Sequence, residues 1–280
     1  MPNYLFLVSI TPKSVTNQSL DGRAIGRVVR PTVRGMQGSS AKYYGPSDAL
    51  PRAVLFDAYG TLFDVYSVGL LAEQLFPGHG QPLSVLWRDK QIEYSRLVTT
   101  SDDGAHYRPF WDLTRAALRH ACKRLSLELT PAREEQLMNQ YRALSAFPEN
   151  RDVLQALKRR GIVTGILSNG DPDMLGVAVR SAGLDGLLDH VLSVDAVRLY
   201  KTHPKAYALG VQATRMKPSQ ILFVSCNAWD ALAATWYGYR TLWVNRYQLP
   251  FEELDTQPDH VGSTLRDVLD IFETTPKEIA

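Results

Sequence analysis

Residues 53–64, AVLFDAYGTLFD, decide how the rest of this chain is read. Ala53, Val54, Leu55 and Phe56 form a continuous apolar run. Such a run suits a strand buried on both faces of a parallel sheet rather than one that alternates between core and water. Asp57 closes it. A carboxylate at the end of a buried strand is costly unless it is paired or carries chemistry, and Tyr59, two residues on, limits which chemistry that is.

Working outward, further apolar runs stand at 162–167 (IVTGIL), 190–194 (HVLSV), 221–224 (ILFV) and 241–244 (TLWV). Helical patterns separate them, such as DVLQALKRRG, where Gly161 fits a helix stop before the next strand. Strand and helix in alternation imply an α/β fold, a Rossmann-like open parallel sheet with helices on both sides. The interval 67–146 breaks the rhythm and reads as helices only: PLSVLWRDKQIEYSRL, FWDLTRAALRHACKRL and TPAREEQLMNQYRAL. In the second, Phe110, Leu113, Ala117, Leu118, Ala121 and Leu125 recur at helical spacing. In the third, Thr130 is placed to cap the helix, with Pro131 at its first position. The expected organisation is a core of residues 51–66 and 147–280 with an inserted helical cap at 67–146.

The chain has 280 residues, of which 45% are hydrophobic and 21% charged, an ordinary globular balance. Its net charge of +2 misleads as a guide to partners. Of 31 basic and 29 acidic residues, residues 1–50 hold six (Lys13, Arg23, Arg27, Arg30, Arg34, Lys42) and two (Asp21, Asp48), leaving 25 basic and 27 acidic for the other 230. The part expected to fold therefore lacks the basic surplus that nucleic-acid binding needs. No apolar run is long enough to cross a bilayer. Two cysteines, Cys122 and Cys226, are too few for a disulfide framework, so a cytoplasmic, reducing setting is expected. Residues 1–50 lack periodicity and are expected to be a disordered extension. Their Arg-rich, acid-poor composition leaves an organellar leader as the alternative.

In open α/β sheets, ligands bind at the carboxyl ends of the strands. Past four of the five expected strands stand Asp57, Ser168-Asn169, Asp195 and Ser225-Cys226-Asn227, polar residues several of which the topology would gather at one edge.

From residue 51 onward the chain resembles the haloacid dehalogenase superfamily, and within it the L-2-haloacid dehalogenase branch. Five blocks in order carry the resemblance: FDAYGTLFDV, LWRDKQIEY, ILSNGDPDML, LYKTHPKAY and FVSCNAWDALAA. The resemblance implies that Asp57 is a nucleophile forming a covalent intermediate, kept ionised by Lys201. It implies that Arg88 and Asn169 receive the departing halide, and that Ser168 with backbone amides after Asp57 binds the substrate carboxylate. Asp230 would orient or activate the water that hydrolyses the ester. Asn227 and Ser225 would complete the polar network, and Thr61 would bond the Asp57 carboxylate. Tyr207, at the family spacing from Lys201, is grouped with the substrate-binding residues, and Phe110 and Trp229 with the apolar walls. The bland alternatives are core aromatics for the last two and a surface salt bridge within its helix for Arg88.

Superfamily phosphatases carry a second aspartate where Tyr59 stands, as general acid for an alkoxide leaving group. A neutral phenol is a poor acid near neutral pH, whereas a halide leaves without a proton. Cys226 stands where those phosphatases place a magnesium-binding aspartate, and a neutral thiol is a poor ligand for that ion. The expectation is metal-independent hydrolysis of a small 2-haloacid by water, with no cofactor and no metal, in a homodimer. The alternatives are a magnesium-dependent phosphatase and a catalytically silent binding protein of the same fold. Three residues depart from the family pattern: Cys226, often serine in relatives; Thr202, where proline often follows the lysine; and Asp89, often glutamine beside the arginine.

Overall fold

The computed structural model describes residues 50–273; the expected extension at 1–50 lies almost wholly outside them. Six strands form one parallel sheet: β1 (Ala53–Phe56), β2 (Val163–Ser168), β3 (His190–Ser193), β4 (Ile221–Ser225), β5 (Arg240–Val244) and β6 (His260–Gly262). Their order across the sheet is β3-β2-β1-β4-β5-β6. The chain therefore builds outward from β1 in one direction, returns to its other side at β4, and builds outward again. The reversal falls between β1 and β4, where Phe56 stands opposite Val224. That is where open α/β sheets leave a crevice beyond the strand ends.

The five strands read from the sequence all form, with ends shifted by a residue or so. β1 and β4 are buried along their whole length, as their unbroken apolar runs imply. β3 differs. It lies at the sheet edge, so Val191 is 44% exposed despite its apolar run. β6 has no apolar run at all and was not expected. It is three residues long and half-exposed, held by pairing to β5 rather than by burial.

Between β1 and β2 the chain is helical: α1 (Gly69–Leu75), α2 (Gly80–Thr100), α3 (Phe110–Arg124) and α4 (Pro131–Arg142). It leaves and re-enters at adjoining points, where Phe63 bridges Ala146 and Asp64 N–H donates to the Ser145 carbonyl at 2.8 Å. The apolar face of α3 is buried at Phe110, Leu113, Ala117, Leu118 and Ala121, against Leu83 and Trp87 of α2 and Leu137 and Met138 of α4. Leu125 falls one residue past the end of α3 and is only half-buried. Thr130 Oγ1 accepts from Arg133 N at 3.3 Å and Pro131 opens α4, the capping arrangement its sequence implies. After the insert, α5 (Asn150–Arg159), α6 (Pro172–Ser181), α7 (Pro204–Thr214) and α8 (Ala228–Tyr237) connect the strands. Gly161, at φ +70°, ends α5 in the left-handed conformation before β2. Among the described residues no helix is long and apolar enough to cross a membrane.

The α4 cap gives a direct test of this reading. Thr130→Ala removes one side-chain acceptor from the first turn and is expected to cost about 1 kcal/mol, lowering Tm by roughly 2–4 °C. A thermal melt measures the shift, and an unchanged Tm would show that α4 does not depend on its cap.

Candidate active site

Asp57 is the first residue beyond β1, and its N–H extends the ladder by donating to the Val224 carbonyl at 2.9 Å. The chain then turns sharply. Gly60 adopts φ +97°, a conformation that residues bearing Cβ rarely take. The turn brings Thr61 back under Asp57, where Thr61 Oγ1 donates to Asp57 Oδ2 at 3.1 Å. The same hydroxyl accepts from Cys226 N–H at 2.9 Å, so the end of β4 fixes its direction. Asn227 Nδ2 donates to Asp57 Oδ2 at 2.9 Å and to the Tyr59 carbonyl at 3.2 Å.

Lys201 sits on the loop between β3 and α7, almost fully buried. Its Nζ reaches Asp57 Oδ1 at 3.1 Å and Asp230 Oδ2 at 3.0 Å. Asp230, in the first turn of α8, also accepts from Tyr207 Oη at 2.7 Å. Burial raises the pKa of Asp230; the Lys201 ammonium opposes the rise and the Asp57 charge adds to it. Lys201 is itself located by Asn169, whose Oδ1 accepts from the Lys201 N–H at 2.9 Å. Asn169 thus has its acceptor engaged and its NH2 group available as a donor.

On the cap side, Arg88 of α2 is buried, and Nη2 donates to the Tyr59 carbonyl at 3.0 Å and to Asn227 Oδ1 at 3.3 Å. These are partners across the fold rather than the carboxylate of its own helix that a surface salt bridge would use. A small cavity lies between α2 and the strand ends. Asp57, Tyr59, Arg88, Phe110, Ser168, Asn169 and Trp229, all singled out from the sequence, line it. Ile92 and Ser95 line it too and were not expected. They follow Arg88 on α2 at i+4 and i+7, a spacing that puts all three on one face. The cavity offers about 10 Å³ to the centre of a water molecule, room for about one water. A larger open groove of about 610 Å³ between α6 and β3 contains neither Asp57 nor Lys201 nor Asp230. Ser168 Oγ accepts from Gly170 N–H at 3.1 Å, which leaves its O–H to donate. A side chain at Gly170 would meet the Tyr59 ring, 2.6 Å from an added Cβ.

Other expected residues stand elsewhere. Tyr207 does not line the cavity; it is buried behind Asp230 among Phe223, Tyr237 and Tyr239. Its role there is to hold Asp230, and the substrate-binding grouping is corrected on that ground. Ser225 is also buried behind the cavity, its Oγ accepting from Asn227 N–H at 3.1 Å. Asp195 accepts from Tyr107 Oη at 2.5 Å, away from Asp57. Asp89 is exposed on the outer side of α2, not beside the Arg88 guanidinium as its place in sequence suggested, and Thr202 is exposed as well. Cys226 serves the site through its backbone, and burial pushes its thiol up to about 11, so a thiol it stays. Arg246, which sequence reasoning missed, pairs with Glu149 at 2.6 Å and reaches the Thr61 carbonyl at 3.5 Å. Among the described residues no three His, Cys, Asp or Glu side chains converge as a metal-ligand group.

Residues 51–238 match the family described as haloacid dehalogenase-like hydrolase. The chain is 44% identical over 223 residues to an (S)-2-haloacid dehalogenase of Pseudomonas sp. (strain YL), spanning 80% of this chain and 95% of that one. It is also similar to the crystal structure of the L-2-haloacid dehalogenase RSc1362, at 57% identity and a TM-score of 0.79, covering 81% of this chain and all of the other. An L-2-haloacid dehalogenase from Xanthobacter autotrophicus, solved with chloropropionic acid covalently bound, is 33% identical with a TM-score of 0.73, over 82% of this chain and all of that one.

The bridging ammonium makes stability depend on pH in a definite direction. Without it, two buried carboxylates face each other, and the folded protein retains a proton that the unfolded chain releases above about pH 4. Lys201→Met is therefore expected to lose about 3–5 kcal/mol near neutral pH, with the deficit against wild type widening from pH 5 to pH 8. Thermal melts of both proteins across that range measure it; a deficit that narrows toward pH 8 would contradict the bridge.

Proposed function

The chain belongs to the haloacid dehalogenase-like hydrolases, and from that premise we propose that it is an (S)-2-haloacid dehalogenase, converting short L-2-haloalkanoic acids and water to D-2-hydroxy acids and halide. The observation that carries this is the setting of Asp57. Its carboxylate is held by an ammonium, a hydroxyl and an amide, and it faces a closed cavity that Arg88 and Asn169 line.

In the first step an Asp57 oxygen attacks the α-carbon from behind. A carbon–oxygen bond forms and the carbon–halogen bond breaks, with the halide taking the bonding pair. Arg88 and the Asn169 NH2 group supply positive charge and a donor where that anion develops. The substrate carboxylate needs donors on the other side. Ser168 O–H and the N–H groups of Ala58 and Tyr59 are proposed, since those of Gly60 and Thr61 are used within the turn. Tyr59, Phe110, Trp229 and Ile92 give the remaining walls an apolar character suited to a short alkyl chain.

In the second step water attacks the Asp57 ester carbonyl. Asp230 takes a proton from that water, held in place by Lys201 and Tyr207. Its raised pKa makes the ionised form the stronger base. The ester opens at its acyl–oxygen bond, and the departing alkoxide takes up the proton that Asp230 received from water, which regenerates the base; the inversion set at carbon in the first step persists in the product.

Metal independence is part of the proposal and is supported by the same side chains. Asp57 and Asp230, the carboxylates a magnesium ion would need, are already bridged by the Lys201 ammonium, and Cys226 supplies a neutral thiol where a third carboxylate would stand. Tyr59 is fully buried, and burial raises its pKa well above that of a free phenol, so it is no general acid for a phosphate ester. The helical insert, residues 67–146, serves as the cap that closes over a core of residues 51–66 and 147–280. A cytoplasmic homodimer is part of this reading. It is supported by two free cysteines and by the exposed Val85 and Leu97 on the outer face of α2.

Purified protein in EDTA is expected to release chloride from L- but not D-2-chloropropionate, giving D-lactate, and Asp57→Asn is expected to release none. In a single turnover in heavy-oxygen water the product should be unlabelled, because its new oxygen comes from Asp57. Label in that first product, or hydrolysis of a phosphate ester only when magnesium is added, would defeat the proposal.

A further inference from the structure

Two carboxylates stand past strand ends without a part in the reaction above. Asp171 follows β2, in the same ILSNGDPDML block as Ser168 and Asn169, and Asp195 follows β3. Asp171 is buried, where an anion is costly unless its oxygens are bonded. Both are. Its Oδ1 accepts from Met174 N–H at 3.0 Å and caps α6, the helix it precedes. Its Oδ2 accepts from Trp111 N–H at 3.1 Å, in the first turn of α3 and 60 positions back along the chain.

That second bond fills a gap in α3. The first N–H groups of an α-helix find no partner within the helix. The residue before α3 is Pro109, which makes no side-chain cap, since a proline ring carries no acceptor. α3 thus takes its cap from the loop after β2. One carboxylate between two helix N-termini also stands where both macrodipoles favour an anion.

Asp195 holds the same segment a few residues earlier. Its Oδ1 accepts from Tyr107 Oη at 2.5 Å, and the Tyr107 ring stacks on Tyr200, centroids 5.2 Å apart at 26°. Between the two anchors lies Phe110, which lines the cavity beside Asp57. Its ring centroid is 6.1 Å from that of Tyr59 and 5.9 Å from that of Tyr200.

We infer that Asp171, with Asp195 as a second anchor, is a positioning residue that fixes how far Phe110 stands from Ser168 and Asn169, and so how long a 2-haloacid chain the cavity admits. This rests on the dehalogenase reading of the site. Polar donors and apolar wall are tied together through one loop, Ser168 to Asp171. The cavity offers about 10 Å³ to the centre of a water molecule, so a substrate meets every wall. Where Phe110 stands then decides whether one more methylene fits, a difference of roughly 10–200-fold in a fitted apolar pocket.

The test uses Asp171→Ser. Serine still caps α6, but it has no second oxygen to reach Trp111. kcat/KM is measured on L-2-chloropropionate and on L-2-chlorobutyrate, one methylene longer, and a crystal structure is determined. The butyrate-over-propionate ratio is expected to rise about tenfold above wild type, with Phe110 displaced. Tyr107→Phe keeps the ring and its stack but loses the Asp195 bond. It should raise the ratio by less, which keeps the test intact should Asp171→Ser fold poorly. An equal loss on both acids would mean a general loosening and would overturn the inference, as would a Phe110 that stays in place. If wild type releases chloride from neither acid, the dehalogenase reading fails on its own. The position of Phe110 in the variant crystals then decides the positioning role, displacement supporting it and an unmoved ring ending it.

Discussion

One ammonium between two buried carboxylates is the constraint from which the rest of the site follows. Lys201 touches Asp57 at 3.1 Å and Asp230 at 3.0 Å, and all three residues are buried. Each contact brings an attraction of roughly 5 kcal/mol at an effective dielectric of about 20. Taking each ion out of water costs several kcal/mol in return. The cluster is therefore a poor source of stability, and its geometry is better understood as a demand of the chemistry. It can exist only where the chain reverses direction in the sheet. β1 delivers Asp57 and β4, through α8, delivers Asp230. The loop after β3 delivers Lys201, whose backbone is tied by Asn169 to the end of β2. Four strand ends are held together by four side chains, Asp57, Asn169, Lys201 and Asp230.

The helical insert answers the strand ends with a polar stripe. Along α2, Ser84, Arg88, Gln91, Ser95 and Thr99 are all buried, at spacings of four, three, four and four. A helix that hides polar residues on one face defies the usual amphipathic rule. Two of the five, Arg88 and Ser95, line the cavity. Thr99 Oγ1 accepts from Tyr200 N–H at 3.0 Å, on the segment leading into Lys201. α2 thus packs its polar stripe toward the strand ends along most of its length. That requirement explains why its 21 residues are poorer in apolar side chains than those of a core helix.

How much of this was legible in the sequence depended on what each residue's neighbours are. The fold was readable because buried parallel strands leave unbroken apolar runs, as at AVLF and ILFV. Where pairing rather than burial makes the strand, as at β6, there is no run to read. Asp57, Lys201, Asn227 and Asp230 were legible through their blocks, and all four meet. Tyr207 was assigned to the substrate because spacing along the chain says that a residue belongs to a site, not which side of a carboxylate it occupies. Asp89 was feared as a neighbour of Arg88, but adjacent residues on a helix point about 100° apart. Ile92 and Ser95 were missed although helical spacing from Arg88 would have found them. Arg246 and Glu149, 97 positions apart, meet only because β5 ends beside the return from the cap, and nothing local in either stretch announces that.

Tyr59 gathers these strands into one physical argument. The absence of a carboxylate at that position removes the acid a phosphate ester needs, but the replacement is far from passive. Its carbonyl accepts from both Arg88 and Asn227, so the backbone at this point ties cap to core. Its ring packs against Phe63, Phe110 and Tyr141, and leaves no room for a side chain at residue 170. An aspartate here would place a third carboxylate close to Asp57 and Asp230 in a region with a single bridging ammonium, and would empty the centre of an aromatic cluster. The surroundings of Tyr59 are thus built for its ring: glycine at 170, a stacked tyrosine from α4, and a guanidinium resting on its carbonyl. Chemistry at carbon, with a leaving group that needs no proton, is the task that suits such a pocket.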